Sequence, residues 1–201
     1  MSDERHAYFE QLYGASADPY ALRTRWYERR KRELLMACLP RSHYAAAYEP
    51  GCGSGELTAA LAQRCDQVLA SDFSEGALSA ARARTAQLAN VRLARHSLPR
   101  DWPSNEGPFD LIVLSEVGYF LDAHAMQSLA VLCWTSLAKG GTLVACDWRP
   151  GFAERALDTD AVHATLHDLG LPRILRHEED DFLLEVWSGD ARSVAQREGI
   201  R

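Results

Sequence analysis

The chain has 201 residues, 47% of them hydrophobic and 25% charged, a balance that suits one folded domain with a substantial core. Twenty-two basic residues against 28 acidic ones leave a formal charge of −6, which disfavours broad contact with a phosphate backbone. The charged start, Met1-Ser2-Asp3-Glu4-Arg5-His6, lacks the apolar segment of a secretory leader, and no stretch approaches the roughly 20 apolar residues that span a bilayer. These features predict a cytoplasmic protein whose partners include neither membrane nor nucleic acid. Five cysteines, none in a C-x-x-C pair, read as reduced thiols within apolar patterns.

In chain order, residues 1–17 are polar with scattered aromatics. Asp18 and Pro19 are helix-start signals, and the pattern predicts a helix over 20–39 that stops at Pro40. It is dense in cations, Arg23, Arg25, Arg29, Arg30, Lys31 and Arg32, and reads as an amphipathic lid or flank. Beyond it, strands and helices alternate: a strand at 44–49, a helix at 55–65, a strand at 67–71, a helix at 74–88 and a period-two strand at 91–95. The run at 109–114, apolar except for Asp110, predicts a central parallel strand covered on both faces. A helix over 122–138 with Lys139-Gly140-Gly141 as its stop, a strand at 142–147, a helix over 155–169 closed by Gly170, and strands at 172–178 and 181–187 complete the series. Residues from 189 onward read as a frayed tail.

This alternation predicts an α/β fold, a doubly wound, mostly parallel sheet with helices on both faces. The turn His177-Glu178-Glu179-Asp180 is too short for a parallel crossover, so the last two strands are expected to pair antiparallel. One domain is expected over 1–201, with 1–40 as a helical lid or flank, 41–188 as core and 189–201 as tail.

The segment Tyr48-Glu49-Pro50-Gly51-Cys52-Gly53-Ser54-Gly55, between the first strand and helix, is the clearest functional signal. A glycine turn there brings bare backbone against a ligand, and the following helix aims its first N–H groups into the same space. The dinucleotide pattern G-x-G-x-x-G needs a glycine where this chain has Glu56. Glu49, two residues before the first glycine, repels a pyrophosphate and attracts an ammonium or sulfonium group. S-adenosylmethionine carries both cations and no phosphate. Asp72, at the end of the second strand, suits the two ribose hydroxyls.

At these residues the chain resembles the class I S-adenosylmethionine-dependent methyltransferases. Asp18-Pro19-Tyr20, Trp26-Tyr27-Glu28-Arg29-Arg30, Arg100-Asp101-Trp102-Pro103 and the run from Phe109 to Val117 are similar to the nodulation-protein-S type within that class. The resemblance covers about residues 8–188. It departs at Pro50, where a small aliphatic residue is usual, and at Ser97, where many members place an acid beside the adenine. It implies the strand order 3-2-1-4-5-7-6, S-adenosylmethionine as cofactor with S-adenosylhomocysteine as product, and N-methylation of an amine on an amino sugar or related metabolite. It also implies that Tyr27 and Arg30 fold over the site to hold the methionine carboxylate.

In such a sheet, ligands sit beyond the carboxyl ends of the strands. The cofactor candidates are therefore Glu49, Gly51, Cys52, Gly53, Gly55, Asp72, Phe73, Ser97, Leu98 and Ser115, with Phe73 and Leu98 as adenine neighbours or plain core. Glu116 either receives or orients the proton of an amine substrate, or caps the next helix or pairs with an N-terminal arginine. Tyr119 is a candidate for the substrate pocket. Trp102 covers a ligand or only the sheet end. His163 and His167 have the spacing of a metal pair but no third ligand, so no metal is expected. An NAD-dependent oxidoreductase and a non-catalytic cofactor-binding module are the competing readings, and a small-molecule methyl acceptor is the expected partner.

Overall fold

The computed structural model describes the backbone of residues 3–201 and side chains from Ala7 onward. Met1 and Ser2, included in the expected lid, lie outside the described residues. The strands are β1 (Tyr44–Pro50), β2 (Cys65–Asp72), β3 (Val91–Arg95), β4 (Phe109–Ser115), β5 (Leu137–Trp148), β6 (Arg173–Glu178) and β7 (Phe182–Ser188). The helices are α1 (Asp3–Ala15), α2 (Trp26–Cys38), α3 (Glu56–Leu61), α4 (Glu75–Thr85), α5 (Ala123–Ser136), α6 (Thr159–His167) and α7 (Val194–Arg197). Among the described residues the strands form one seven-stranded sheet in the order β3-β2-β1-β4-β5-β7-β6.

The pairs β1–β2, β1–β4, β2–β3 and β4–β5 are parallel, whereas β7 runs antiparallel to both β5 and β6. The expected strand order and hairpin are both present. Successive residues of β4 point to opposite faces. Leu111 and Val113 join one buried cluster with Leu35, Leu61 and Leu78, while Ile112 and Leu114 join the other with Met126, Leu129 and Trp187. A strand covered on both sides has no polar face to show, which is why it is apolar from Leu111 to Leu114, while Asp110 at its entry accepts from the Ala45 and Ala46 N–H groups. The order reverses between β1 and β4, and this opens a crevice at their carboxyl ends.

Four elements differ from the sequence expectation. The helix expected over 20–39 begins only at Trp26. Asp18 instead accepts from the backbone N–H groups of Leu22 at 2.8 Å and Arg23 at 3.1 Å, closing a turn, and Ala21 takes a left-handed φ of 55° that a helix does not allow. Residues 3–15, marked in the sequence only as a polar stretch with scattered aromatics, form α1. Its Phe9 and Tyr13, one helical turn apart, bury against Ala77 and Phe73.

Lys139-Gly140-Gly141 does not stop α5, which ends at Ser136 and leads straight into β5. Gly140, at φ 73°, lies in an irregular start to that strand, where pairing jumps from Phe109–Leu137 to Leu111–Thr142. The tail is not frayed. It turns through α7, capped by Ser193 and Gln196, and Arg197 bonds back to the Asp190 carbonyl and the Ser188 hydroxyl. The remaining helices are shorter than expected by a few residues at their ends. No helix among the described residues is long and apolar enough to cross a membrane.

Candidate active site

A cavity of about 660 Å³ occupies the crevice at the carboxyl ends of β1 to β5. Its floor is Glu49, Gly51 to Gly53, Asp72, Phe73, Leu98, Ser115, Glu116 and Val117, and its roof is drawn from α1 and α2: Tyr8, Phe9, Tyr13, Tyr27, Glu28 and Lys31. The volume is in the range of small-molecule and cofactor sites.

The glycine turn is docked onto the end of β2. The N–H groups of Gly51 and Cys52 both donate to the Ser71 carbonyl, at 2.6 and 2.9 Å, and the Gly53 N–H donates to Asp72 Oδ2 at 3.0 Å. Gly53 has φ 52°, and a Cβ there would lie 2.7 Å from the Tyr13 hydroxyl, so only glycine fits between turn and roof. Gly55 serves another purpose. It does not line the cavity, and its missing Cβ lets α3 pack against Ala81 of α4, which a Cβ would meet at 3.1 Å.

Both acids flanking the turn are buried. Asp72 Oδ1 accepts from the Ser74 N–H at 3.0 Å, and burial raises its carboxyl above the ordinary value although the Ser74 and Gly53 N–H groups pull it down. Glu49 Oε2 accepts from the Thr58 hydroxyl at 2.6 Å. Burial pushes the Glu49 carboxyl up to about 8, against the Thr58 hydrogen bond and with help from the Asp72 charge. A buried acid held largely neutral beside a second acid is short of a cation.

The other end of the cavity is built around Glu116. This residue leaves β4 with a left-handed φ of 61°, a strained conformation for a side chain of its size. Its Oε2 accepts from the Tyr119 hydroxyl at 2.5 Å and the Trp148 N–H at 2.9 Å, and its Oε1 meets the Lys31 ammonium at 2.5 Å. The expected N-terminal partner is present but is Lys31 rather than an arginine. Arg155, its guanidinium 5.3 Å above the Tyr119 ring, anchors the following loop by donating to the Trp148 and Arg149 carbonyls.

The remaining candidates divide. Cys52, Phe73, Leu98, Ser115 and Tyr27 line the cavity, and the Tyr27 hydroxyl is buried with no hydrogen-bond partner. Arg30 does not line it. Its guanidinium grips Glu179 in the β6–β7 turn through bonds of 2.8 and 2.7 Å, because Glu179 is within reach of the outer face of α2. Ser97 is also outside the wall, its N–H donating to Asp101 at 3.0 Å. Trp102 covers the sheet end only, packed on Tyr48 with its Nε1–H donating to Ser136 at 2.8 Å.

Both ring nitrogens of His163 face carboxylates, Glu185 at 2.9 Å and Asp147 at 3.2 Å. Burial pushes this imidazole down, but those two acids hold it at about 9, so it is a structural cation. His167 accepts from the Trp187 indole N–H. Sequence reasoning missed the aromatic roof of α1, signalled only by the Phe9 and Tyr13 spacing, and did not single out Lys31 among the cations of α2.

A model of the methyltransferase domain matches residues 47–141. Nodulation protein S of Bradyrhizobium diazoefficiens is 30% identical over 144 residues, covering 71% of this chain and 68% of that protein. Nodulation protein S of Rhizobium tropici is 33% identical over 132 residues, and there the alignment covers 65% of this chain and 55% of the relative. The crystal structure of the N-methyltransferase NodS from Bradyrhizobium japonicum WM9, in complex with S-adenosylhomocysteine, superimposes with a TM-score of 0.83 at 25% identity, covering 92% of this chain and 98% of that one.

The chain therefore belongs to the class I S-adenosylmethionine-dependent methyltransferases. Within that class it resembles the nodulation-protein-S type. The wall fits the cofactor of the class: two buried acids, Glu49 and Asp72, flank a bare-backbone turn, a donor set that suits a cationic adenosyl ligand and opposes a pyrophosphate.

Proposed function

We propose that this protein transfers the methyl group of S-adenosylmethionine to a primary amine on a small molecule. The observation that carries the reading is the charge of the cavity wall. Glu28, Asp72, Glu116, Glu154 and Asp181 line it against only Arg25, Lys31 and Arg32, while Glu49 lies there as an acid that a cation would ionise and Glu56 is held by Arg23 and Arg84. A wall with that excess favours two cationic guests, the cofactor and an amine that arrives protonated.

Asp72 would hold the ribose hydroxyls with the lone pairs it does not spend on Gly53 and Ser74. Glu49 would answer the ammonium of the methionine moiety. Phe73 and Leu98 would flank the base, and Tyr13 would close the roof over the turn. The bound cofactor supplies a methyl group already activated by the positive charge on sulfur. What the chain adds is geometry and dryness. Phe9, Tyr13 and Tyr27 exclude water from above, and an oriented nucleophile at near-attack distance supplies on the order of 7–11 kcal/mol of such a barrier. Glu116, fixed by Tyr119 and the Trp148 N–H, would take the proton of the arriving ammonium and so free the nitrogen lone pair to accept the methyl, which favours a nitrogen acceptor over a neutral hydroxyl.

The test is transfer of labelled methyl from S-adenosylmethionine to matched acceptors: amino sugars and their oligomers, the corresponding N-acetyl sugars, and hydroxyl and carboxylate analogues. Label should enter the free amines and spare the N-acetyl forms. Label confined to hydroxyl or carboxylate acceptors would overturn the amine assignment. Tight binding of NADH in place of S-adenosylhomocysteine would overturn the whole reading.

A further inference from the structure

Of the 22 basic residues in this chain only two are lysines, Lys31 and Lys139. Arginine is used at every other basic position, including the ion pairs Arg84–Glu56 and Arg30–Glu179 that fasten one element to another. Arginine is also the better residue for a buried, multiply bonded carboxylate. Yet the buried cation in the roof of the cavity is Lys31.

Its surroundings form a receptor for an ammonium group. Nζ lies 2.5 Å from Glu116 Oε1, 3.2 Å from Glu28 Oε2, and 5.2 Å from the centre of the Tyr27 ring. Two carboxyl groups meet one ammonium here, so Glu116 and Glu28 share Lys31 between them. Burial draws the lysine down, but Glu116 and Glu28 outweigh it and hold the amine protonated, well above the ordinary value. The two carboxylates are not equivalent. Glu116 belongs to the exit of β4, whereas Glu28 is Lys31's own neighbour three residues back on α2. The flexible four-carbon stem can keep Glu28 while releasing Glu116.

We infer that Lys31 is an internal stand-in for the acceptor's ammonium group: it occupies the acceptor subsite on Glu116 and yields it to an incoming primary ammonium by retreating onto Glu28. This deepens the methyl-transfer reading and rests on it. The ligand class of the subsite is a primary alkylammonium, the species Lys31 itself presents there. Neutral acceptors cannot displace it, so the lysine acts as a filter for cationic amines. No arginine can play this part, because a planar guanidinium does not mimic a compact ammonium.

With only two lysines, protein labelled with ¹³Cε,¹⁵Nζ-lysine gives two side-chain signals, one of them the exposed reference Lys139. The protein is saturated with S-adenosylhomocysteine and titrated with ethylammonium chloride and with glucosamine hydrochloride, against matched sodium chloride. The Lys31 signal should move saturably while Lys139 stays still. By calorimetry, Lys31→Met should bind ethylammonium about tenfold or more tightly than the parent, since it no longer competes for a charged hydrogen bond. Adding Glu116→Gln to that variant should abolish the gain. A Lys31 signal unmoved by bound ethylammonium, no gain on Lys31→Met, or no ethylammonium binding to either protein would each overturn the inference while leaving methyl transfer standing. Should Lys31→Met not fold, the parent titration alone decides. Failure to bind S-adenosylhomocysteine would overturn methyl transfer itself, and the inference with it.

Discussion

The two ends of the cavity are built in different ways. At the cofactor end, Glu49, Gly51, Gly53 and Asp72 all belong to the single unit β1-α3-β2, and they are fixed through backbone: Gly51 and Cys52 N–H on the Ser71 carbonyl, Gly53 N–H on Asp72. At the acceptor end, Glu28 and Lys31 come from α2, Glu116 and Tyr119 from the exit of β4, and Trp148 from the end of β5. Those residues meet mainly through side chains, across long stretches of sequence. A backbone cradle is specified by spacing and glycine alone, and it suits a cofactor that never changes. A side-chain cluster can be altered one residue at a time without disturbing the cradle, and it suits an acceptor that differs between relatives.

If that division is real, the two ends can be damaged independently. The largest effect is expected from Glu116→Gln, which keeps the shape but removes the charge that faces the amine. We expect kcat/KM on the amine acceptor to fall about 100-fold, the low end for loss of a positioned acid–base group, with S-adenosylhomocysteine affinity unchanged to within about twofold. Steady-state kinetics beside calorimetry separate the two. Normal turnover would reduce Glu116 to an anchor for α2, and a parallel loss of cofactor affinity would erase the distinction between the ends.

The same division decides what could be read from the sequence. The sheet was legible because β4 is buried on both faces and apolar from Leu111 to Leu114, and because the His177 to Asp180 turn admits only an antiparallel return. The cradle was legible because its parts lie close together in sequence. Arg30 was misplaced because a cation-rich helix does not say which of its faces turns inward, and Glu179, the partner that claims Arg30, lies on the far hairpin. α1 was missed because its polar composition masks the two aromatics that pack, and Lys139-Gly140-Gly141 misled because a glycine at positive φ serves a strand irregularity as well as a helix end. Each failure concerns a position where tertiary contacts choose among locally equivalent options.

At the cofactor end the complementary variant is Asp72→Ala. A charged hydrogen bond is worth roughly 1.5–3 kcal/mol, so the dissociation constant for S-adenosylhomocysteine should rise about tenfold or more. Turnover at saturating cofactor should fall far less. Unchanged affinity in a folded variant would remove Asp72 from the site.

A subtler effect comes from Glu49, whose carboxyl is pushed up to about 8 by burial. Below that value the free protein carries Glu49 mainly as the neutral acid. A cationic ligand favours the carboxylate, so binding S-adenosylhomocysteine, which retains the ammonium, should release a proton between about pH 6 and 8. Linkage then requires affinity to climb as pH rises through that window, by at most about tenfold per unit, and to level off above it. Glu49→Gln should flatten the profile. Binding enthalpies measured in buffers of different ionisation heat report the proton directly, and none released at pH 7 would place the ligand's ammonium elsewhere.

The smallest effect is expected from Arg30→Ala, and its smallness is the point. Were Arg30 to hold the methionine carboxylate, its loss would cost about tenfold or more in cofactor affinity, as for Asp72. The bidentate grip on Glu179 puts it instead between α2 and the β6–β7 turn, half-exposed and away from the cavity wall. An ion pair in that setting contributes little to stability and nothing to a ligand it does not touch. Affinity for S-adenosylhomocysteine should therefore stay within about twofold of the parent, and any change should show as faster proteolysis or hydrogen exchange in α2. A tenfold loss of affinity with α2 unperturbed would mean that Arg30 leaves Glu179 for the ligand, and that the cofactor end also depends on a side chain brought in from afar.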